Sequence, residues 1–175
     1  MRKLSMAELH RKSAEEFQRS EKLQLVIVLD NIRSMMNIGS VFRTADAFLL
    51  DSILLCGISA TPPHREIQKT ALGATESVNW KYYEETVTAV NFLKERGFKV
   101  LALEQAQGSI NLKDFLPERG KPYALVFGNE VKGVDDRVLA LCDGCIEIPQ
   151  FGTKHSLNVA VSAGIVIWDI FLKTL

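Results

Sequence analysis

The sequence predicts an α/β fold: a mostly parallel sheet with flanking helices. Three observations predict it. Short apolar runs alternate with longer amphipathic segments along the whole chain. The first run, Leu23–Leu29, is almost continuously apolar, as expected of a strand covered by helices on both faces. Polar, glycine-bearing loops follow three of the runs, and open α/β folds bind ligands at their strand ends. The 175 residues amount to about one domain, and a hydrophobic fraction of 47% suits a globular core.

Taken in order, Ser5-Met6-Ala7-Glu8 has the pattern of a capping box and predicts a helix to about Glu21, with Leu9, Ala14 and Phe17 near one face. Residues 1–22 read as a helical appendage, and 23–175 as the main domain. After the Leu23–Leu29 strand, Asp30–Asn37 is a polar loop and Ile38–Ala47 a helix with Ile38, Val41, Phe42 and Ala45 inward. Ser52–Cys56 is a second strand. Pro62-Pro63 keeps the next loop from becoming helical, and His64–Leu72 can form a turn or two of helix. Val78–Tyr82 is a strand, Glu84–Arg96 a helix ended by Gly97, and Lys99–Leu103 a strand. Gln105–Gly120 is mostly irregular. Tyr123–Phe127 is a strand, Asp135-Asp136 opens a short helix at its favourable dipole end, Cys145–Ile148 is the last strand and Leu157–Leu172 the last helix.

Composition narrows the function. Lysine and arginine total 21, as do aspartate and glutamate, so no global charge draws the chain to nucleic acid. The first 22 residues have a weak basic bias that fits a solvated helical face. No apolar run reaches the ~18 residues of a bilayer crossing. The start, Met1-Arg2-Lys3, then turns polar, unlike a secretory signal, and the expected location is cytoplasmic. Three cysteines suit a reducing compartment. Cys142-Asp143-Gly144-Cys145 matches C-x-x-C, but no second pair completes a zinc site, and its place at a helix-to-strand turn favours two small buried residues.

Three loops carry the chemistry. In Asn37-Ile38-Gly39-Ser40-Val41-Phe42-Arg43, Asn37 can cap a helix, Gly39 permits a close approach, and Arg43 offers a planar fork suited to phosphate. This is neither a Walker loop nor a dinucleotide fingerprint. Phe127-Gly128-Asn129-Glu130-Val131-Lys132-Gly133 brackets polar residues with two glycines, which suits a backbone cradle. From Ile148 to Gly164, Pro149 ends a strand, Gly152 allows a turn, Ser156 can cap the last helix and Asn158 presents an amide in its first turn. His64 and His155 can titrate near neutrality, but no triad or metal set stands beside them, so they read as exposed or RNA-facing loop residues.

In this order the stretches resemble the three motifs of the SpoU (TrmH-like) family of RNA ribose 2′-O-methyltransferases, within the SPOUT class. The first resembles Asn37-x-Gly39-x-x-x-Arg43. The second resembles Gly128-x-Glu130-x-x-Gly133 after its strand. The third resembles Ile148-Pro149-x-x-Gly152-x-x-x-Ser156-Leu157-Asn158-Val159. Gln68–Ala74 also looks like the family's segment after the second strand, and the resemblance spans about Leu23 to Leu172.

The resemblance implies a deep C-terminal trefoil knot, S-adenosylmethionine as methyl donor, and a homodimer with the active site near the subunit boundary, with no metal and no membrane. It implies Arg43 as the central catalytic residue, with Asn37, Glu130, Ser156 and Asn158 completing a polar wall. Donor contacts would come from Leu103, Phe127, Gly128, Asn129, Gly133, Ile148, Ser156 and Leu157. RNA contacts would come from Arg43, His64, Arg65, Lys69 and Lys154. Transfer RNA is the favoured substrate and ribosomal RNA the other. A catalytically inactive RNA-binding protein of the same fold is the alternative, and a generic nucleotide-binding hydrolase lacks its phosphate loop here.

Overall fold

A computed structural model describes residues 1–5 and 7–174. Seven parallel strands form one sheet in the order β3-β2-β1-β6-β4-β7-β5. They are β1 (Leu23–Asp30), β2 (Leu50–Cys56), β3 (Asn79–Tyr83), β4 (Lys99–Leu103), β5 (Ile110–Asn111), β6 (Tyr123–Phe127) and β7 (Gly144–Glu147). The helices are α1 (Ala14–Arg19), α2 (Met35–Ala47), α3 (Arg65–Ala71), α4 (Ala74–Ser77), α5 (Thr86–Glu95), α6 (Asp136–Leu139) and α7 (Val159–Thr174).

Period-two alternation sends the β1 side chains into two cores. Leu25, Ile27 and Leu29 pack with Phe42 of α2, Ile67 of α3 and Ile167 of α7. Val26 and Val28 pack with Val90 and Leu93 of α5 and Val138 of α6. From β1 the chain runs outward through β2 to β3. It then crosses to β4, and β6 inserts between β4 and β1. The carboxyl ends of β1, β6, β4 and β7 therefore meet where strand order reverses, the position at which open α/β sheets form a crevice.

Several boundaries differ from the sequence reading. The expected N-terminal helix crosses Met6, which lies outside the described residues. After it comes a 3-10 turn at Ala7–Leu9, and His10 adopts a φ of 44° that interrupts the helix. The chain restarts at α1, where Ser13 and Glu16 form a reciprocal capping box and Phe17 is buried. Helix α2 begins three residues earlier than expected, capped by Ser34, whose Oγ accepts from Asn37 N at 3.2 Å. Helix α7 begins at Val159, and Asn158 rather than Ser156 caps it: Asn158 Oδ1 accepts from Ala160 N at 2.9 Å. The segment read as irregular contains the two-residue strand β5, paired with β7. Such a strand is too short to show periodicity. Gly39 takes the close approach of protein, not ligand: a Cβ there would lie 2.2 Å from Ile67 O and from Thr70 Oγ1, so α3 crosses α2 at this point.

Candidate active site

The β6–α6 loop is built around Asn129 and two glycines. Asn129 N donates to Gly133 O, and Gly133 N to Asn129 O, both at 2.9 Å. The Asn129 side chain accepts from Val131 N and Lys132 N and donates to Asn31 O at 2.7 Å, which ties the loop to the end of β1. Gly133 has a φ of +72°, and a Cβ on Gly128 would lie 2.1 Å from Gly133 C and Val134 N. The loop folds back on its own backbone, so both positions require glycine.

Against this loop lies a cleft of about 540 Å³, within the usual range for a small-molecule site. Its walls come from the ends of β4, β6 and β7 and the start of α7. All eight residues expected to touch a donor line it: Leu103, Phe127, Gly128, Asn129, Gly133, Ile148, Ser156 and Leu157. Glu130 and Asn158 line it too. Asn37 joins them at the lip. Asn158 Nδ2 donates to Asn37 Oδ1 at 3.1 Å across 121 residues of sequence, and Asn37 Nδ2 donates to Glu130 Oε1 at 3.4 Å. Glu130 also accepts from Arg33 N and Ser34 N, each at 3.0 Å. Partial burial pushes its pKa up, but these donors outweigh burial and hold the carboxyl below the usual range. The carboxylate thus sits on the free N–H groups at the start of α2, where a helix favours negative charge.

Not every expected residue joins the cleft. Arg43 is exposed on α2 and does not line the cleft, and its side chain makes no hydrogen bond or ion pair among the described residues. Glu130 holds the start of α2 and not Arg43. His64 caps α3, its Nδ1 accepting from Glu66 N at 3.2 Å. Arg65 and Lys69 are exposed on the same helix, with Lys69 paired to Glu66 at 2.6 Å. Lys154 is exposed in the β7–α7 loop, beside His155, which does line the cleft. Burial pushes the Cys142 thiol up to about 11 and raises that of Cys145, and both are free. No metal-binding cluster exists among the described residues.

Among the cleft residues that escaped the sequence reading are Glu104 and Gln105. Glu104 accepts from Gln105 N at 2.9 Å and Val134 N at 3.1 Å, and Gln105 Nε2 donates to His155 O at 2.9 Å. The pair links the β6–α6 loop to the β7–α7 loop. The only signal in the sequence was a polar Glu-Gln directly after the buried β4 run.

The profile of the SpoU rRNA methylase family matches residues 24–168. The chain belongs to that family. Among its relatives is the tRNA (guanosine(18)-2′-O)-methyltransferase of Thermus thermophilus, 32% identical over 163 residues, which are 93% of this chain and 81% of that enzyme. Among solved structures, this SpoU protein resembles the AdoMet-bound rRNA methyltransferase from Sinorhizobium meliloti, with a TM-score of 0.81 and 26% identity over 89% of this chain and 58% of that one. It also resembles the TrmH/SpoU tRNA modifying enzyme of A. aeolicus, with a TM-score of 0.79 and 26% identity over 91% of this chain and 79% of that one. The cleft fits S-adenosylmethionine on its own evidence: its volume suits the molecule, and the loop around Gly128 and Gly133 presents backbone where side chains would obstruct it.

Proposed function

We propose that this SpoU methylase, an S-adenosylmethionine-dependent RNA ribose 2′-O-methyltransferase, acts on transfer RNA in the cytoplasm as a homodimer. The observation that carries the reading is the Asn37–Asn158–Glu130 cluster. Three loops distant in sequence place acceptors and amide donors side by side at the lip of the cleft. The transfer-RNA assignment rests on the Thermus relative's name and its 81% coverage. Three free thiols suit a reducing compartment.

Bound in the cleft, S-adenosylmethionine supplies a methyl group on a positively charged sulfur. Gly128, Ile148 and Leu157 would hold the donor through loop backbone groups, while Leu103 and Phe127 would give it an apolar wall. Asn37 and Asn158 orient the ribose at the lip, with Ser156 beside them. Aligning the ribose oxygen behind the methyl is the main service the residues perform, because in-line displacement rewards positioning. Transfer to the ribose hydroxyl would also require its proton to leave. A guanidinium is a poor general base. The role of Arg43 is to bind the phosphate next to the target ribose and to help that phosphate, or a transiently neutral guanidine, pass the proton on.

Arg43 lies outside its own cleft, exposed on α2 with Met36, and α2 packs against α7, whose Val161, Ile165 and Trp168 are also exposed. A second copy seated across these two helices would bring Arg43 to an active site at the boundary. The knot implied by the family has matching support. Leu112 and Phe115 of the β4–β6 connection share the α2 side of the sheet with α7, and Lys173 Nζ donates to Leu112 O at 2.7 Å. The N-terminal appendage, docked by Phe17, together with His64, Arg65, Lys69 and Lys154, would contact RNA away from the target nucleotide. The test is incubation with methyl-labelled donor and unmodified transfer or ribosomal RNA. Alkali-resistant, ribose-labelled dinucleotides from transfer RNA are expected. Label confined to ribosomal RNA would overturn the substrate, and absence of label in both would overturn the activity.

A further inference from the structure

The chain has no net charge, yet its cleft is acidic. Glu104, Glu130 and Glu147 line it against one lysine, Lys132. None of the three carboxylates belongs to an ion pair among the described residues. A negative cleft repels RNA, so its charge cannot serve the nucleic acid. Glu130 is fully engaged at the start of α2. Glu147 accepts from Ser109 Oγ at 2.8 Å. Glu104 is the best placed. It follows Leu103 at the end of β4, and its Oε2 lies 2.2 Å from where a Cβ on Gly133 would be, against the cradle loop. One N–H fixes each of its oxygens, from Gln105 and Val134, leaving further lone pairs free. Because Leu103 pairs with Ile146, Glu104 and Glu147 follow on adjacent strand ends, Glu104 turned to the β6–α6 loop and Glu147 to Ser109.

We propose that Glu104, seconded by Glu147, selects the cationic donor over the spent product. The inference rests on the reading of the cleft as the donor site. Methyl transfer removes the sulfonium charge, so S-adenosylmethionine and S-adenosylhomocysteine differ by one positive charge in nearly the same shape. A fixed carboxylate lowers the energy of the first and leaves the second almost unaffected, which favours release after turnover. Backbone contacts to adenine and ribose hold both molecules equally and cannot make this distinction.

The test is calorimetric titration of the full chain with each molecule separately. The variants are Glu104→Gln and Glu147→Gln, both isosteric and neutral, with melting curves to show that each is folded. Glu104→Gln is expected to weaken S-adenosylmethionine binding by about fivefold to tenfold, the scale of one charge pair in a partly wet cleft, and to weaken S-adenosylhomocysteine by less than about twofold. Glu147→Gln is expected to act in the same direction and less strongly. Added salt should weaken donor binding more than product binding in the native protein, and this difference should shrink in Glu104→Gln. If Glu104→Gln weakens both molecules equally, Glu104 is a brace for the loops and the inference is overturned. If the native protein binds neither molecule, the donor-site reading itself fails.

Discussion

Glu130 occupies the place where a free anion would bind the start of α2, with Arg33 N, Ser34 N and the Asn37 amide all donating to it. Replacing it by glutamine keeps the shape and removes the charge. Glu130→Gln is expected to cost about 2 kcal/mol in urea unfolding at pH 7, the usual scale for hydrogen bonds to a charged group. Because its folded pKa is depressed, Glu130's contribution is complete above the unfolded value of about 4.3. It is lost as pH falls through the lower folded value. The gap in stability between native protein and variant should therefore close in strong acid. Arg43→Ala is expected to lower methyl transfer by roughly 10²–10³-fold while donor affinity stays unchanged, and Arg43→Lys should not restore it, since a point charge lacks the planar fork. For single residues, type and spacing singled out the side chains proposed to carry the chemistry. They did not show Glu104, because a carboxylate after a strand looks like any solvated charge until Gly133 and Val134 are seen against it.

Helix starts show where local rules stop. Ser34 and Asn37 are both good caps, as are Ser156 and Asn158, and propensity cannot choose within either pair. The choice at α2 follows from the neighbours: Asn37 is drawn to Asn158 and Glu130, and Ser34 takes the cap. Ser34→Ala should cost about 1 kcal/mol in unfolding free energy. Gly39→Ala should cost more, about 1–3 kcal/mol, because its Cβ would overlap Ile67 O and force α3 off α2. Chemical denaturation of both variants checks the order, and equal effects would argue against the close α2–α3 crossing. The strands, in contrast, were legible to within a residue or two, since buried parallel strands need continuous apolar runs. Two elements, α4 and β5, were not, being too short for any period to register.

Over the full fold, α7 presents two faces. Ala163, Val166, Ile167 and Ile170 enter the core, while Val161, Ile165, Trp168 and Leu172 form an exposed stripe, from 39% to 52% accessible. A helix apolar all round is buried all round, and among the described residues the second face is left exposed apart from the packing of Phe48 on Trp168. Under the proposed dimer, Val161→Glu with Ile165→Glu should halve the mass seen by light scattering. It should also abolish methyl transfer and leave calorimetric donor binding in place, because the cleft belongs to one chain while Arg43 reaches it from another. Retained activity in the monomer would sink the shared site. Residue type and period were enough for the α/β class, the strands and the three loops, because burial and turn chemistry are written locally. Packing in three dimensions was needed to settle that β6 inserts between β1 and β4, that Asn37 meets Asn158 across 121 residues, and that Arg43 stands apart from the cleft. Those outcomes depend on how distant segments share two cores, and no local pattern encodes which strand lies beside which.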